Sequence, residues 1–199
     1  MNGTKPSRLA VFVACTVALL SCDHRSPTST TTDAGTSRAP EVIETQWTDA
    51  AAKRTAKEIS FVLPELRIYD KRQQLIFQQS GINHETVTET IQAAIKTDRP
   101  VAGPSYSATV ADVQTGDGSP ASSVIRPSDV TIFDYWASWC APCKILEKQL
   151  FAWTAQQPPG SVKIVRVEAD LTKLEKATGE KVYLLKKGPD GKLARVEMK

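Results

Sequence analysis

The sequence predicts an α/β fold in which a mixed sheet is flanked by helices. Runs rich in β-branched and aromatic residues, typical of strands, alternate along the 199-residue chain with stretches of helical period. The clearest strand is 130–136 (VTIFDYW), which leads directly into a helix-forming segment. Hydrophobic residues make up 41% of the chain, and no apolar run reaches the roughly 18 residues that a spanning helix needs. A membrane channel, a collagen-like fibre and a wholly disordered chain are therefore disfavoured.

The charge balance is close to neutral. The chain has 25 Lys and Arg against 22 Asp and Glu, a formal net charge of +3. Two of the cations, Lys5 and Arg8, lie in a segment that we interpret as a removed export signal, so the mature chain is closer still to neutrality. Nucleic-acid-binding domains usually carry a basic stripe and a high isoelectric point. We therefore expect no nucleic-acid partner.

The first 21 residues have the pattern of a signal peptide. An apolar run at 9–20 (LAVFVACTVALL) follows Lys5 and Arg8, and Ser21 and Cys22 come next. A charged start, an apolar stretch of about a dozen residues and a small residue at its end are typical of export signals. The ending Leu-Leu-Ser-Cys resembles the lipobox of bacterial lipoproteins. That resemblance implies cleavage after residue 21 and lipidation of Cys22.

Lipidation of Cys22 would also explain the cysteine count. Of the four cysteines, Cys15 would leave with the signal, so only Cys140 and Cys143 would remain as thiols in an oxidising compartment. Acyl chains contribute roughly 0.8 kcal/mol per buried CH₂, so several chains make a stable anchor. We expect the protein in the bacterial cell envelope, lipid-anchored and facing the periplasm or extracytoplasmic side. The alternative is an ordinary secretory signal that ends near a cysteine.

Two segments are predicted between the signal and the main core. Residues 22–41 are dense in Ser, Thr and Pro and are expected to form a flexible tether, with an average span of about 20–25 Å. Residues 42–98 are expected to form a helix, a hairpin and a helix, with Thr48 as the first N-cap and Pro64 near a strand start. The predicted elements are a helix over 48–59, strands over 61–70 and 75–77, and an amphipathic helix around 87–95.

The core of the fold is predicted over 129–199. Before it, residues 99–128 are rich in Gly, Pro and Ser and are interpreted as a connection, with a short strand over 109–113. The predicted core elements are a strand over 130–136, a helix that starts near 141 and ends before 158–160, a strand over 162–169, and a hairpin formed by 182–185 and 193–198.

A Cys-x-x-Cys pair lies between the first core strand and its helix. Cys140 would stand at the helix N-terminus, where unpaired backbone N–H groups and the helix dipole favour an anion. In such positions a cysteine pKa lies between about 3.5 and 7.5. Cys143 lies one turn further along, and Pro142 suits the first helical turn. The spacing therefore predicts Cys140 as nucleophile and Cys143 as resolving thiol in disulfide exchange.

The segment 134–144 (DYWASWCAPCK) resembles the active-site segment of the thioredoxin family. The flanking segments 144–148 and 167–170 resemble the C-terminal domain of the membrane disulfide reductase DsbD. The resemblance implies that Asp134 relays protons to the buried Cys143, and that Arg166 occupies the place of a lysine near this acid. Independently, a lone carboxylate in an apolar strand should have a raised pKa and can act as an acid or base near neutrality.

One part of the thioredoxin pattern is missing after the cysteines. Members of that family carry a cis-proline before a strand that faces the cysteine pair, but residues 180–182 contain no proline. Pro64 begins a strand, strand, helix series in the N-terminal half, which resembles the C-terminal part of a thioredoxin domain. We therefore predict a rearranged, permuted-looking element order, in which 61–96 completes a site built by 129–170. The rival is a conventional domain at 105–199 that lacks the proline.

Other interpretations of the same residues stay open. Cysteine pairs can be half of a zinc site, but the mature chain offers no further thiol and only His24 and His84. A static structural disulfide is a second possibility. Trp139 is expected to border the reactive sulfur, with Ala141 between the cysteines. Two other tryptophans, at 136 and 153, are interpreted as core or rim residues. The alternative to a catalytic role for Asp134 is that it is an incidental, solvated carboxylate.

The residues and the resemblance together predict a membrane-anchored, extracytoplasmic thiol–disulfide oxidoreductase. We expect it to reduce protein disulfides with the Cys140–Cys143 dithiol as its only redox group, without a separate cofactor or metal. Resemblance to TlpA- and ResA-like proteins favours the reducing direction, which would require an electron donor in the membrane. The alternatives are a non-catalytic thioredoxin-like lipoprotein that binds proteins, and a disulfide oxidase or isomerase.

Overall fold

A six-stranded mixed sheet forms the centre of the fold. The computed structural model describes residues 40–55, 62–82, 86–169, 171–179, 184–187 and 193–196. The strands are, in chain order, β1 (Glu41–Trp47), β2 (Glu65–Asp70), β3 (Leu75–Ser80), β4 (Val113–Gln114), β5 (Val130–Trp136) and β6 (Val162–Glu168). Across the sheet their order is β3-β2-β5-β6-β1-β4.

Helices cover both faces of this sheet, so the predicted α/β fold class is confirmed. In the described residues these helices are α1 (Asp49–Thr55), α2 (Val87–Thr97), α3 (Tyr106–Ala111), α4 (Ala141–Thr154) and α5 (Leu171–Thr178). A short 3₁₀ turn spans Ala121–Ser123. A separate two-stranded sheet pairs β7 (Leu184–Lys187) with β8 (Leu193–Val196).

The sheet has the rearranged order of elements that the sequence predicts. β5 is parallel to β6 and antiparallel to β2, and β6 is also parallel to β1. The β2–β3 hairpin comes well before β5 in the chain, yet β2 lies directly beside β5, with Glu65 opposite Tyr135. The segment that begins at Pro64 is therefore part of the same sheet as the strand that leads into the cysteine pair.

Two apolar layers, one on each face of the sheet, hold the helices in place. Phe133 and Tyr135 of β5 pack in a cluster with residues of α1 and α3. Ile132, on the opposite face of the same strand, packs in a second cluster with Leu146 and Leu150 of α4 and with residues of α2. Burial of a side chain of this size stabilises by roughly 1.5–3 kcal/mol. Several such contacts fix α4 against β5.

The structure contains a strand that the sequence analysis did not predict. β1 starts at Glu41, so the tether predicted over 22–41 ends earlier, and the segment predicted over 42–98 begins with a strand rather than a helix. The run EVIETQW contains strand-favouring residues, but three polar residues in a row, at 44–46, obscure a regular alternation of apolar and polar positions. Its hydrogen bonds come from β6 and β4, which are distant in sequence.

The connection predicted over 99–128 is more regular than expected, and the strand predicted over 109–113 is wrong for most of its length. Residues up to Ala111 belong to α3, and only Val113 lies in a strand. Ser105 caps this helix, since its Oγ accepts a hydrogen bond from the Ala108 N–H at 3.2 Å. Tyr106 and Val110 are buried four residues apart, which is helical rather than strand spacing.

The remaining predicted elements differ mainly at their ends. The first helix begins after Thr48, whose Oγ1 accepts from the Ala51 N–H at 3.1 Å, and it is described as far as Thr55. The C-terminal hairpin is shifted slightly, to β7 and β8, and does not join the six-stranded sheet. The signal segment, Cys22, His84 and most of the tether lie outside the described residues. Within the described ranges, no helix has the length and apolar character to span a bilayer.

Candidate functional site

The cysteine pair lies where β5 gives way to α4. The chain turns after the strand, and the Cys140 N–H donates to the Ala137 carbonyl at 3.0 Å. Cys140 is the N-cap of α4 in an extended conformation, and its Sγ accepts a hydrogen bond from the Cys143 N–H at 3.2 Å. Pro142 lies in the first turn, where no helical partner exists for its missing N–H. The local sequence therefore places a sulfur at the helix N-terminus.

Cys140 and Cys143 are joined by a disulfide bond, with 5.3 Å between their Cα atoms. Cys143 is fully buried and Cys140 is 5% exposed. The exposed residues around them are Trp139, at 38%, together with Ala141 and Pro142. A reaction partner would therefore approach the first sulfur across Trp139 and the Ala-Pro turn, while the second sulfur faces the interior.

The Leu63–Pro64 segment lies against the disulfide. The peptide bond between these residues is cis, and Leu63 packs in a cluster with Ala137, Cys140 and Cys143. Pro64 is buried, and its carbonyl accepts a hydrogen bond from the Gly81 N–H at 2.7 Å. The structure thus brings the sequence-predicted proline segment to the cysteine pair.

Asp134 is completely buried in β5. Neither of its carboxylate oxygens has a hydrogen-bond partner among the described residues. Burial raises the pKa of Asp134 to about 7, although the Arg166 guanidinium acts in the opposite direction. The carboxylates of Glu147 and Glu44 add a further upward shift to this pKa. Asp134 is therefore able to take up or release a proton near neutral pH.

Arg166 lies opposite Asp134 in the parallel register of β5 and β6. Its Nε is 3.5 Å from Asp134 Oδ2, which makes an ion pair without a well-formed hydrogen bond. One terminal nitrogen donates to Glu147 at 3.0 Å and to Glu44 at 3.3 Å. The guanidinium also lies over the Trp136 ring, 4.0 Å from its centroid. Arg166 therefore lies beside Asp134, as the resemblance to the thioredoxin family implies.

Asp134 and Cys143 belong to the same side of the sheet. Asp134 and Trp136 alternate with the residues that face α1 and α3, so both point towards α4. Cys143 lies on the buried face of α4 that also carries Leu146. Trp136 packs directly against the cysteine cluster. A carboxyl group that can exchange protons is therefore buried beneath the helix that carries the inner cysteine.

Sequence reasoning missed four residues of this site: Leu63, Trp136, Glu147 and Glu44. Trp136, interpreted as a core or rim residue, is half-buried and lies two residues from Asp134, on the same strand face. Glu147 follows Cys143 by one helical turn, so helical spacing could have indicated it. Nothing in the sequence indicated Glu44, because β1 itself was not predicted. Trp153 is buried in the core, as expected.

Within the described ranges, no group of three or more His, Cys, Asp and Glu side chains is arranged to hold a metal ion. The redox-active and titratable groups that the structure places at the site include the cysteine pair and Asp134. A disulfide can accept two electrons and two protons to become a dithiol, and a thiolate of that dithiol can attack another disulfide to form a mixed disulfide.

Comparison with known proteins agrees with this geometry. The model of the thioredoxin family matches residues 115–183, which include β5, the cysteine pair, α4 and β6. No curated protein and no solved structure matches the chain. The β2–β3 hairpin lies outside the matched range, consistent with its different position in the chain order. Residues 115–183 are therefore similar to the thioredoxin family, and the sheet built around them is consistent with a thioredoxin-like fold.

Proposed function

We propose that this protein is a membrane-anchored, extracytoplasmic thiol–disulfide oxidoreductase that reduces disulfide bonds in other proteins. The observation that carries the proposal is the position of Cys140 as the N-cap of α4, in a disulfide with the fully buried Cys143. The thioredoxin-family match supports a thiol–disulfide redox role. The cysteine pair is the redox group, and the proposal includes no separate cofactor.

The first step uses Cys140 as nucleophile. In the reduced protein, the Cys143 N–H and the unpaired N–H groups of the first turn of α4 stabilise a thiolate at Cys140. This thiolate attacks one sulfur of a substrate disulfide. The substrate S–S bond breaks, a mixed disulfide forms on Cys140, and the other substrate sulfur leaves as a thiolate that takes a proton from solvent.

The second step releases the substrate. The Cys143 thiol gives its proton to the Asp134 carboxylate, and the resulting thiolate attacks Cys140 Sγ. The mixed disulfide breaks, the Cys140–Cys143 disulfide forms, and the second substrate sulfur leaves as a thiolate that takes a proton from solvent. Asp134 then releases its proton to solvent. The substrate gains two electrons and two protons; the protein gives up two electrons and two protons, the first proton when Cys140 ionises and the second through Asp134. A buried acid with a pKa near 7 suits this transfer.

The reducing direction rests on the resemblance of the active-site segment to thioredoxins and to TlpA- and ResA-like proteins. Each turnover leaves the cysteine pair oxidised, so a reductant outside the cytoplasm needs a source of electrons. A membrane protein that carries a dithiol is the donor we propose. Lipidation at Cys22 would hold the domain on the membrane that contains this donor, in the periplasm or an equivalent extracytoplasmic space.

The alternative is a non-catalytic lipoprotein that binds proteins. A thioredoxin-like domain that lacked a cis-proline segment at its cysteine pair would favour this alternative, but Leu63, which precedes the cis-proline Pro64, packs against the pair. The oxidase or isomerase alternative differs in potential rather than in geometry. A reductase should have a potential near the thioredoxin value of about −270 mV, whereas a strong oxidase lies near about −120 mV.

An insulin-reduction assay tests the proposal. With a dithiol reductant present, the wild-type protein should accelerate precipitation of reduced insulin, and Cys140→Ser should abolish the acceleration. Ser138→Ala alters an exposed residue of the same turn and should leave it unchanged. A wild-type protein that is inactive with several reductants would contradict the enzyme proposal, and a potential near the oxidase value would contradict the reducing direction.

A further inference from the structure

The buried charges around Asp134 are arranged in an unusual way. The Asp134 carboxylate and the Arg166 guanidinium are both buried and are only 3.5 Å apart, from Oδ2 to Nε. Within the described part of the chain, both carboxylate oxygens of Asp134 lack a hydrogen-bond partner. The same is true of two guanidinium nitrogens of Arg166, Nε and Nη2. Buried polar groups are nearly always hydrogen-bonded, so such a near miss needs a physical cause.

Two other carboxylates bind the same guanidinium. The same terminal nitrogen of Arg166 donates to Glu147 of α4 and to Glu44 of β1, at 3.0 and 3.3 Å. Glu44 lies directly opposite Arg166 in the parallel register of β1 and β6, on the side away from Asp134. The Trp136 ring supports the flat face of the guanidinium. These contacts direct the hydrogen-bonding end of Arg166 away from Asp134.

We propose that Glu44 is a positioning residue: by binding the Arg166 guanidinium, it prevents a hydrogen-bonded pair between Arg166 and Asp134. Asp134 thereby stays available as the proton acceptor for Cys143. The inference rests on the proposed function for its role in turnover, but the geometry it describes does not depend on a substrate.

The direction of the effect follows from elementary electrostatics. A direct hydrogen bond from an arginine stabilises the charged form of a carboxylate and lowers its pKa, so a hydrogen-bonded Asp134 would be a weaker proton acceptor at neutral pH than Asp134 in the present ion pair at 3.5 Å. The charged groups that face Asp134 are Arg166 from β6, Glu44 from β1 and Glu147 from α4. Its neighbour on β2, Leu66, is uncharged. Removal of Glu44 takes away one of the two carboxylates that hold Arg166 and the one on the side away from Asp134, so the guanidinium should move towards Asp134.

The test is a titration of Asp134 by carboxyl-carbon NMR in the oxidised protein. In Glu44→Gln the midpoint should fall by about one pH unit from the wild-type value, because Arg166 then binds Asp134. Glu41→Gln is the matched control, since it removes an equally exposed charge from the same strand but one that pairs with Lys163. An unchanged midpoint in Glu44→Gln, or an equal shift in the control, would overturn the proposal.

A second comparison distinguishes two ways in which Glu44→Gln could lower the Asp134 midpoint: through a change in the position of Arg166, or through the direct loss of a negative charge. In an Arg166→Gln background, Glu44→Gln should no longer shift the Asp134 midpoint, since the intermediary is absent. A shift of the original size there would show that Glu44 acts through space, against the proposal. If Arg166→Gln does not fold, the Arg166 Nε–H proton chemical shift is compared between wild type and Glu44→Gln. The resonance should move downfield in Glu44→Gln because Nε–H gains a hydrogen bond, and an unchanged shift would contradict the proposal.

The functional consequence is measured apart from the titration. The pH midpoint of mixed-disulfide resolution by Cys143 should fall in Glu44→Gln by the same amount as the Asp134 titration. If the wild-type protein reduces no disulfide, the proposed function fails while the NMR result still decides the positioning role. If it does reduce disulfides and the two midpoints do not move together, the link between Glu44 and turnover is wrong.

Discussion

Glu65 lies opposite Tyr135 in the antiparallel register between β2 and β5. Glu65 directly follows Pro64, and Tyr135 belongs to the segment that leads into the cysteine pair. This one pairing therefore brings the Leu63–Pro64 segment to Cys140, although the two segments are far apart in the chain. The site depends on the β2–β3 hairpin being an integral part of the sheet.

A truncation within β2 tests that dependence. Leu66 is fully buried and lies opposite Asp134, in the apolar layer shared with α4. Leu66→Ala should destabilise the protein by about 2–5 kcal/mol, because it removes buried surface and leaves a cavity. Chemical denaturation measures the difference. Val62→Ala, at a position 48% exposed, should cost much less. Equal, small effects of both changes would contradict the sheet position of β2.

Much of this architecture could be predicted because the relevant signals are local. The run before Cys140 is apolar and β-branched, and it behaves as a central strand whatever its neighbours are. The pair Leu146 and Leu150 has helical spacing and packs as that spacing predicts. The position of Asp134 within the apolar run indicated a buried acid, and the structure shows it fully buried.

The unpredicted parts depend on long-range partners. β1 has three polar residues in a row, at 44–46, which obscure the alternation of a half-buried strand, and its hydrogen bonds come from the distant β6. Thr45 even donates its hydroxyl to the Arg166 carbonyl at 2.8 Å. The helix α3 was missed because Ser105 and the residues around it have the composition of a loop. Only the buried spacing of Tyr106 and Val110 reveals its helical face.

The segment before α3 runs along the edge strand β3, and its close packing gives a second prediction. The Val101 N–H donates to the Leu75 carbonyl at 2.8 Å, and a Cβ on Gly103 would overlap the Leu75 and Gln78 side chains. Gly103→Ala should therefore destabilise the protein by about 1–3 kcal/mol through overpacking. Gly116→Ala has open space around it and is the control in the same denaturation experiment. A Gly103→Ala protein as stable as the control would contradict this packing.

The reduced protein should show a large difference in reactivity between its two cysteines. Cys140 stands at the N-terminus of α4 beside exposed residues, whereas Cys143 is fully buried on the inner face of the helix. Near pH 6.5, iodoacetamide should therefore modify Cys140 faster than Cys143, on the order of tenfold or more, because only the thiolate reacts. Peptide mass spectrometry after a timed quench measures both rates. Comparable rates, or faster labelling of Cys143, would contradict the assignment of nucleophile and resolving thiol.

Burial of Asp134 should make the stability of the oxidised protein depend on pH. Its pKa is about 7 in the folded protein against 3.8 for an exposed aspartate. Below pH about 4 the group is protonated in both states and has no effect. Between about 4 and 7 the unfolded chain loses the proton while the folded protein retains it, so this residue lowers the free energy of unfolding as pH rises. Above pH 7 Asp134 is ionised in both states, and the full reduction in the free energy of unfolding is present.

Asp134→Asn removes this ionisation and should stabilise the oxidised protein more at pH 8 than at pH 4. A difference of about three units in pKa corresponds to at most about 4 kcal/mol between the two conditions. Any cost of burying the Asn amide is the same at both pH values, so the comparison isolates the charge. Denaturant titrations of both proteins at each pH give the result. An equal effect at pH 4 and pH 8 would mean that Asp134 is not ionised at a cost in the folded protein, and its proposed part in deprotonating Cys143 would then lose its physical basis.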